Sequence, residues 1–440
     1  MTWTHWKVLV GLALATAFTG CNSGSRNGSK AYFGPGSTGS AAQNSMQNPG
    51  GGGGGAPGSA GQFASGPDLN VGRFQHTATV LTDGRVLVTG GTDGQGLITE
   101  SELYDPQANA WSLLSNIAAN QNDAFMIDAT GQFATVRQLH QAVKLVDGRV
   151  LVTGGFGAER LDASGQPVGE MLKSAYLFDP GANKYTKVAD MPENRGWHES
   201  ALLSNGQVLV AAGLDQNVAT SLITSAAYDA SADTWTSAQM AAKHTWGAAL
   251  TCGNSTLIVG GVDAANGGQG LGINGLPGSR VELFNAQGNA WQKGNDNRDQ
   301  VFNMGRATDT QGKGFLAGGQ GVNQQQGSVT ILGAIEIFDP TAGTWTTNQA
   351  TLNTPRFVPE VAEINTTSDM LITGGVDGSN TVLASCEVWS VLYNTIIGTV
   401  NMSAARVDHK ARTLRDGRVM VIGGQDAQGT ALSSTEFHTR

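Results

Sequence analysis

Seven times after residue 80 a short apolar stretch runs into a pair of small residues: Gly90-Gly91, Gly154-Gly155, Ala212-Gly213, Gly260-Gly261, Gly318-Gly319, Gly374-Gly375 and Gly423-Gly424. Successive pairs lie 48 to 64 residues apart, a period at which one small sheet is copied along the chain. Repetition of this kind constrains the fold strongly and the function weakly, because scaffold residues recur by construction. Charged residues are only 14% and glycines number 62, which suits short strands and many turns better than long helices. The formal net charge is -9 and no Lys/Arg run is present, so the patch that binds nucleic acid by releasing counterions is missing.

The clearest copy of the unit runs from Arg73 to Trp111. A first strand is expected over Arg73 to Leu81, a tight turn at Thr82-Asp83-Gly84, and a second strand over Arg85 to Gly91. Glu102 to Pro106 reads as a third strand and Ala110 to Leu114 as a fourth. Four antiparallel strands per unit make the blade of a propeller. The grammar returns in His140 to Tyr185, Trp197 to Trp235, Trp246 to Trp291, Val301 to Trp345 and Phe357 to Ile397, and a seventh copy begins at Arg406. A small-residue pair closing the second strand, an aromatic on the third and a Trp on the fourth together resemble kelch repeats over residues 61–440. That resemblance implies an all-β fold, a seven-bladed kelch-type β-propeller of four-stranded antiparallel blades.

The last copy stops at Arg440 with its fourth strand missing. Just before the first copy, Gly61 to Asn70 is phased like Gly343 to Asn353, which places Phe63 where other copies carry Trp. The last blade is therefore expected to be closed by an N-terminal strand, Gln62 to Ser65 pairing with Ser434 to His438, so that no open edge remains. Trp111, Tyr185, Trp235, Trp291 and Trp345 are expected to fill the wedges between blades.

Residues 1–20 read as a secretory signal, with Lys7 ahead of an apolar run from Val8 to Phe18 that is too short for a lasting membrane helix. The ending Phe18-Thr19-Gly20-Cys21 resembles a bacterial lipoprotein box, which implies that Cys21 carries lipid. Residues 21–60 are nearly all Gly, Ser, Asn, Ala and Gln and cannot bury enough surface to offset their ordering entropy. As a Gly-rich coil this tether would hold its cargo roughly 30 to 40 Å from the anchor. The expectation is an exported, membrane-anchored lipoprotein, touching membrane through the lipid alone. Asn22 after Cys21 resembles the sorting signal for the outer membrane, on its periplasmic or surface face. Cys252 and Cys386 occupy different phases of the unit and are expected to be buried free thiols.

First strands run inward from one face and second strands return to it, so the chain segments flanking each small-residue pair share a face. That face also collects the longest insertions, Ser115 to Val136, Phe156 to Lys173, Val262 to Ser279 and Gln320 to Gly333, and long loops on a rigid rim are where binding usually resides. Two polar sets are candidates there. Arg-x-x-His occurs as Arg73/His76, Arg137/His140, Arg195/His198 and Arg406/His409, with Lys243/His244 a shifted variant, Arg356 without its His, and Asn303 in place of another. Asp93, Asp215, Asp263, Asp377 and Asp426 each follow a pair by two residues. Imidazoles could ligate a transition metal and carboxylates calcium, yet seven-fold spacing suits neither site, and side-chain caps on turns explain the aspartates. Glu102, Glu282, Glu336 and Glu387 on third strands are expected partners for the arginines.

No phosphate loop, zinc-helix or nucleophile-elbow motif is present. The reading is a binding module for a protein or glycan of the cell envelope, expected to be a monomer with no cofactor and no resident metal. The alternative is a carbohydrate-active enzyme on the same face, with Arg137, His140, Arg195 and His198 as its residues. It is drawn from the resemblance to kelch propellers such as galactose oxidase, a copper enzyme, and a bacterial sialic acid mutarotase. The oxidase's radical site also needs a Cys-Tyr crosslink and a ligand from an appended domain, which repeats alone do not supply.

Overall fold

Second strands such as Val86–Thr89, Val150–Thr153 and Val208–Ala211 are runs of aliphatic residues buried on both faces. A strand with no solvent side needs a sheet packed above and below it. The computed structural model describes residues 59–98, 100–114, 136–158, 169–215, 221–262, 281–294, 301–323, 328–364 and 367–440, and Ser59–Arg440 forms one compact unit. The signal, Cys21 and nearly all of the expected tether lie outside the described residues.

Seven four-stranded antiparallel sheets satisfy the burial requirement. Blade 1 is Thr77–Val80, Val86–Thr89, Glu102–Asp105 and Ala110–Leu113 in spatial order. Blades 2 to 6 follow the same order, from innermost strands Gln141–Lys144, Glu199–Leu202, Ala248–Cys252, Gly305–Thr308 and Glu360–Ile364. Blade 7 consists of Lys410–Thr413, Val419–Ile422, Thr435–Thr439 and, outermost, Gln62–Ser65. Each innermost strand touches those of both neighbouring blades, and blade 7 touches blade 1, so the array is a closed ring. The N-terminal strand pairs as expected, with Phe63 opposite His438 and Ser65 opposite Glu436.

First strands are shorter than the sequence suggests. Gln75 has φ 56°, which ends the strand before Thr77, and Phe74 instead bridges Thr92. The same break leaves a smaller pairing beside every main sheet on the small-residue-pair face, isolated bridges in blades 1, 3, 4 and 7 and a two-stranded pair, Arg356–Phe357 with Val376–Asp377, in blade 6. In blades 2 and 5 the smaller one is a three-stranded sheet, Val136–Gln138 with Phe156–Ala158 and Glu170–Met171, and Val301–Phe302 with Gln320–Asn323 and Ser328–Ile331. Two of the expected insertion loops are therefore partly strand.

The fourth-strand rings lie in the wedges as expected, each packed against a core cluster that includes the preceding blade: Trp111 with Met420, Tyr185 with Leu87, Trp235 with Leu151, Trp291 with Leu209 and Trp345 with Leu257. The fully buried rings are Tyr104, Phe178, Tyr228, Phe284 and Phe338 of the third strands, and the fourth-strand rings cover them in cross-strand pairs. Tyr104 faces Trp111 at 5.4 Å between ring centroids, Tyr228 faces Trp235 at 4.9 Å, and Phe63 faces His438 at 5.2 Å. Blade 6 reverses the order, with Trp389 buried on the third strand opposite Ile396 and packed on Phe315 of blade 5 at 5.6 Å.

The glycine pairs are a steric requirement. A Cβ on Gly154 would lie 2.4 Å from the carbonyl oxygen of Arg195 in the next blade, and one on Gly155 would lie 2.5 Å from the carbonyl oxygen of Gln138 in its own. Where the backbones come this close, the second residue of the pair donates its N–H across the blade junction, Gly155 to Arg195 at 2.8 Å and Gly424 to Arg73 at 2.9 Å. Ala212 breaks the rule, and its junction compensates. At four of the other six junctions the first glycine lies against the imidazole of the next blade, as His140 at Gly90 and His409 at Gly374, whereas blade 4 carries Gly247 at that position. A methyl on one side accompanies a missing ring on the other. Gly154→Ala combines a blocked Cβ with φ +54° and is expected to lower stability by about 1–3 kcal/mol, measurable as an earlier midpoint in urea.

Candidate functional site

The recurring arginines lie inside the blades. Arg73, Arg137, Arg195, Arg356 and Arg406 are all at most 1% exposed. Each donates through Nη1 to the first residue of its own blade's small-residue pair, Arg137 to Gly154 O at 2.9 Å and Arg406 to Gly423 O at 2.9 Å. In three blades Nη2 meets a third-strand carboxylate, Arg73 to Glu102 at 2.6 Å, Arg356 to Glu387 at 2.9 Å and Arg406 to Glu436 at 2.6 Å. Those carboxylates also accept backbone N–H groups of the preceding linker, Glu102 from Asn70 and Val71, and Glu387 from Asn353 and Thr354. A buried ion pair whose remaining lone pairs are satisfied braces a fold. Blade 4 shows that geometry and not residue type is kept. His244 stands in the arginine's place, bonded to Gly260 O at 2.6 Å and Glu282 at 2.9 Å. Likewise Met304, not Asn303, stands at the imidazole position of blade 5, against Gly260 and Gly319.

The histidines are equally withdrawn. His76, His140, His198 and His409 are at most 3% exposed and sit one to a blade. Nε2 of His140 meets Thr77 at 2.9 Å, that of His198 meets Thr153 at 2.9 Å, and that of His409 meets Thr373 at 2.7 Å. His76 finds no hydroxyl and both its ring nitrogens lack a partner, because Ile422 precedes the glycine pair where Thr153 and Thr373 precede theirs. Burial first, then the neighbouring arginines, pushes the imidazoles of His76, His140 and His198 well below their ordinary range. His409 is pushed down to about 3, chiefly by burial.

The aspartates serve their own loops. Asp93 accepts the N–H of Gln95 and Gly96 at 2.7 Å, Asp377 those of Ser379 and Thr381, and Asp426 those of Gln428 and Thr430. Asp215 also has an interaction partner, and Asp263 lies outside the described residues. Among the described residues no three His, Cys, Asp or Glu side chains come together as a metal would require. Cys252 and Cys386 are free and buried, their thiols pushed up to about 12 by burial.

Sequence reasoning missed the site the structure does offer. Between the positions that hold Arg and His in blades 1, 2, 3 and 7, and at the equivalent place in the other three, one residue adopts the left-handed conformation: Gln75, Leu139, Trp197, Trp246, Asn303, Val358 and Asp408, with φ from 51° to 60°. At five of the seven blade junctions their backbones join. Leu139 donates to Gln75 O, Trp197 to Leu139 O, Asn303 to Trp246 O, Val358 to Asn303 O and Gln75 to Asp408 O, at 2.8 to 3.3 Å. The result is a collar around the axis on the loop-bearing face, with every side chain half-buried. Leu139, Trp197 and Trp246 form an apolar arc over blades 2 to 4. Across from it Asp408 accepts from Gln75 at 3.4 Å and from Gln425 at 3.2 Å, while Asn303 donates to Gln320 at 2.9 Å. Burial raises the Asp408 carboxyl above its ordinary range. No local signal in the sequence marks these positions, since they share a backbone angle and no residue type.

No protein-family profile matches the chain. Kelch repeat-containing protein kel-10 of Caenorhabditis elegans is 24% identical over 211 residues, 47% of this chain and 32% of that protein. Beta-scruin of Limulus polyphemus is 27% identical over 250 residues, 56% of this chain and 26% of that protein. Among solved structures, a fungal alcohol oxidase of the AA5 family in complex with copper covers 87% of this chain and 76% of its own, with TM-score 0.61 and 16% identity. YjhT covers 76% of this chain and 99% of its own, with TM-score 0.52 and 17% identity. The fold is a kelch-type β-propeller. The chain spans about a third or less of the length of these curated kelch relatives.

The buried imidazoles give the kelch scaffold an acid limit. A histidine whose folded pKa is depressed contributes stability that is complete above its unfolded value and is lost as pH falls. Unfolding free energy should therefore fall from near pH 6.5 down towards pH 3, by at most about 1.4 kcal/mol per pH unit for each histidine. A series of urea melts checks this, and His198→Gln should flatten the slope.

Proposed function

We propose that this chain is an exported binding module that takes a protein or glycan of the cell envelope on the collar face. One observation carries the reading. All seven left-handed positions hold a side chain where glycine would avoid the strain, including the β-branched Val358, for which positive φ is a genuine outlier. Strain retained at every blade, with a different chemistry at nearly every one, is what a ligand-reading surface requires. The apolar arc of Leu139, Trp197 and Trp246 supplies area, and Gln75, Asn303 and Asp408 supply hydrogen bonds that fix orientation. The five recurring arginines and four recurring histidines add nothing directly, because they are enclosed.

Cys21 belongs to the same proposal, as the lipid anchor of a protein held off the outer membrane by residues 21–60. Its support is the sequence Phe18-Thr19-Gly20-Cys21 and the Gly-rich stretch behind it. A copper oxidase reading has less support. Copper needs several imidazole or phenolate donors on one centre, and here the imidazoles are one to a blade and buried.

Immobilised full-length protein should capture envelope material at least ten times more effectively than its Trp197→Ala, Trp246→Ala double variant. Equal capture by a folded double variant would remove the collar from consideration. Cys21→Ala should move the protein from the membrane fraction to the soluble one, and an unchanged fractionation would dispose of the anchor.

A further inference from the structure

The junction between blades 3 and 4 departs from the rest of the ring. At the other six junctions the second residue of the small-residue pair donates its N–H to the next blade, as Gly91 to Arg137 O, Gly261 to Val301 O and Gly375 to Arg406 O. Gly213 makes no such bond to His244, whose carbonyl accepts instead from Gly247 of its own blade at 3.1 Å. Nor does Trp246 donate its N–H into the collar, although its carbonyl receives Asn303 of the following blade at 3.0 Å. Among the described residues this is the one junction where both backbone bonds are absent. Ala212 accounts for the first absence, since it puts a methyl where a bare glycine elsewhere lets the backbones approach.

Side chains join the two blades here instead. Glu199, which opens the first strand of blade 3, accepts from Ala249 N of blade 4 at 3.4 Å and from Arg306 Nη2 of blade 5 at 2.7 Å. The guanidinium passes across blade 4 because the strand there begins with Ala248 and Ala249, so the pair links two blades that are not neighbours. Thr245 adds a hydroxyl bond to Ser221 at 2.8 Å. Farther from the collar the same blades are tied again, Thr251 donating to Leu202 O at 3.1 Å and Trp291 Nε1 to Ser225 Oγ at 2.8 Å. Blades 3 and 4 are thus fixed at one end and clasped by side chains at the other, which is how a hinge is built. The clasped end carries the aromatic arc. Trp197 precedes Glu199 by two residues and Trp246 precedes Ala248 by two, so the spacing of these tryptophans follows the opening of the junction.

We propose that the junction between blades 3 and 4 is the hinge of the ring, and that Glu199 and Arg306 are positioning residues that hold Trp197 and Trp246 at the spacing the collar presents. Release of the pair changes which ligand the arc fits. That consequence rests on the collar reading; the hinge itself does not.

The test uses the full chain without ligand. Removing one partner alone would leave a buried charge unpaired, so the variant is Glu199→Gln, Arg306→Met, which removes both charges. The readouts are amide hydrogen exchange and fluorine spectra of fluorotryptophan-labelled protein, with signals assigned through single Trp→Phe variants. In the double variant the amides of residues 244–249 should exchange about tenfold faster, and the signals of Trp197 and Trp246 should shift or broaden. Residues 137–142 and the signal of Trp389 should be unaffected, and Arg306→Lys, which keeps the charge, should retain the unaltered pattern. A folded double variant with both tryptophan signals unmoved overturns the proposal. So does faster exchange spread equally over all junctions, which is what mere destabilisation gives. Should the double variant not fold, the unaltered chain decides: Gly213 and Trp246 amides should exchange faster than those of Gly155 and Leu139, and equal rates overturn the proposal. None of these readouts involves a ligand, so failure of the hinge and failure of the collar in the capture experiment are separate results.

Discussion

Everything in this propeller depends on how closely two backbones pass at each blade junction. A carbonyl oxygen of the next blade lies 2.1 to 2.6 Å from where a Cβ would stand on the first glycine of six of the pairs. Only a residue without a side chain permits that approach, and the approach in turn permits the hydrogen bond that joins one blade to the next. In five blades an arginine, and in blade 4 His244, then secures the carbonyl of the pair's first residue from within. Buried ion pairs, threonine-held imidazoles and aspartate-capped loops are arranged around that contact.

The fold was legible in the sequence because each of these devices needs a particular residue type. Gly-Gly, Asp-Gly turns and alternating aliphatic strands announce a sheet period, and even the closing strand could be placed from the phase of Phe63. The incomplete parts of the reading have physical reasons. A strand looked continuous from Arg73 to Leu81 because apolar spacing does not reveal that Gln75 turns left-handed. His244 looked like a displaced histidine because sequence shows residue type, whereas the structure keeps the bond to Gly260 O and accepts either side chain that can make it.

The collar was illegible for the opposite reason. Its seven positions share a φ angle and have little in common chemically, so no pattern of residue types exposes them. In a repeat protein the conserved geometry with unconserved chemistry is where copies differ usefully. Trp197 and Trp246 come from adjacent blades there, and Asp408 sits across from them held by two glutamines. The arginines and histidines that repeat most visibly are the ones a ligand cannot reach.

Closure by the N-terminal strand has a consequence in time. His438 bonds the carbonyl of Ala60 across a separation of 378 residues, so the first strand of the domain to leave the ribosome is completed by nearly the last. At about 5–20 residues per second that interval is roughly 20 to 75 s, during which Gln62–Ser65 has no partner. Six blades can assemble as they emerge, but the ring cannot be sealed until Thr435–Thr439 has been made. Closure is thereby tied to the length of the ring, and the edge of Thr435–Thr439's partner strand stays open until then.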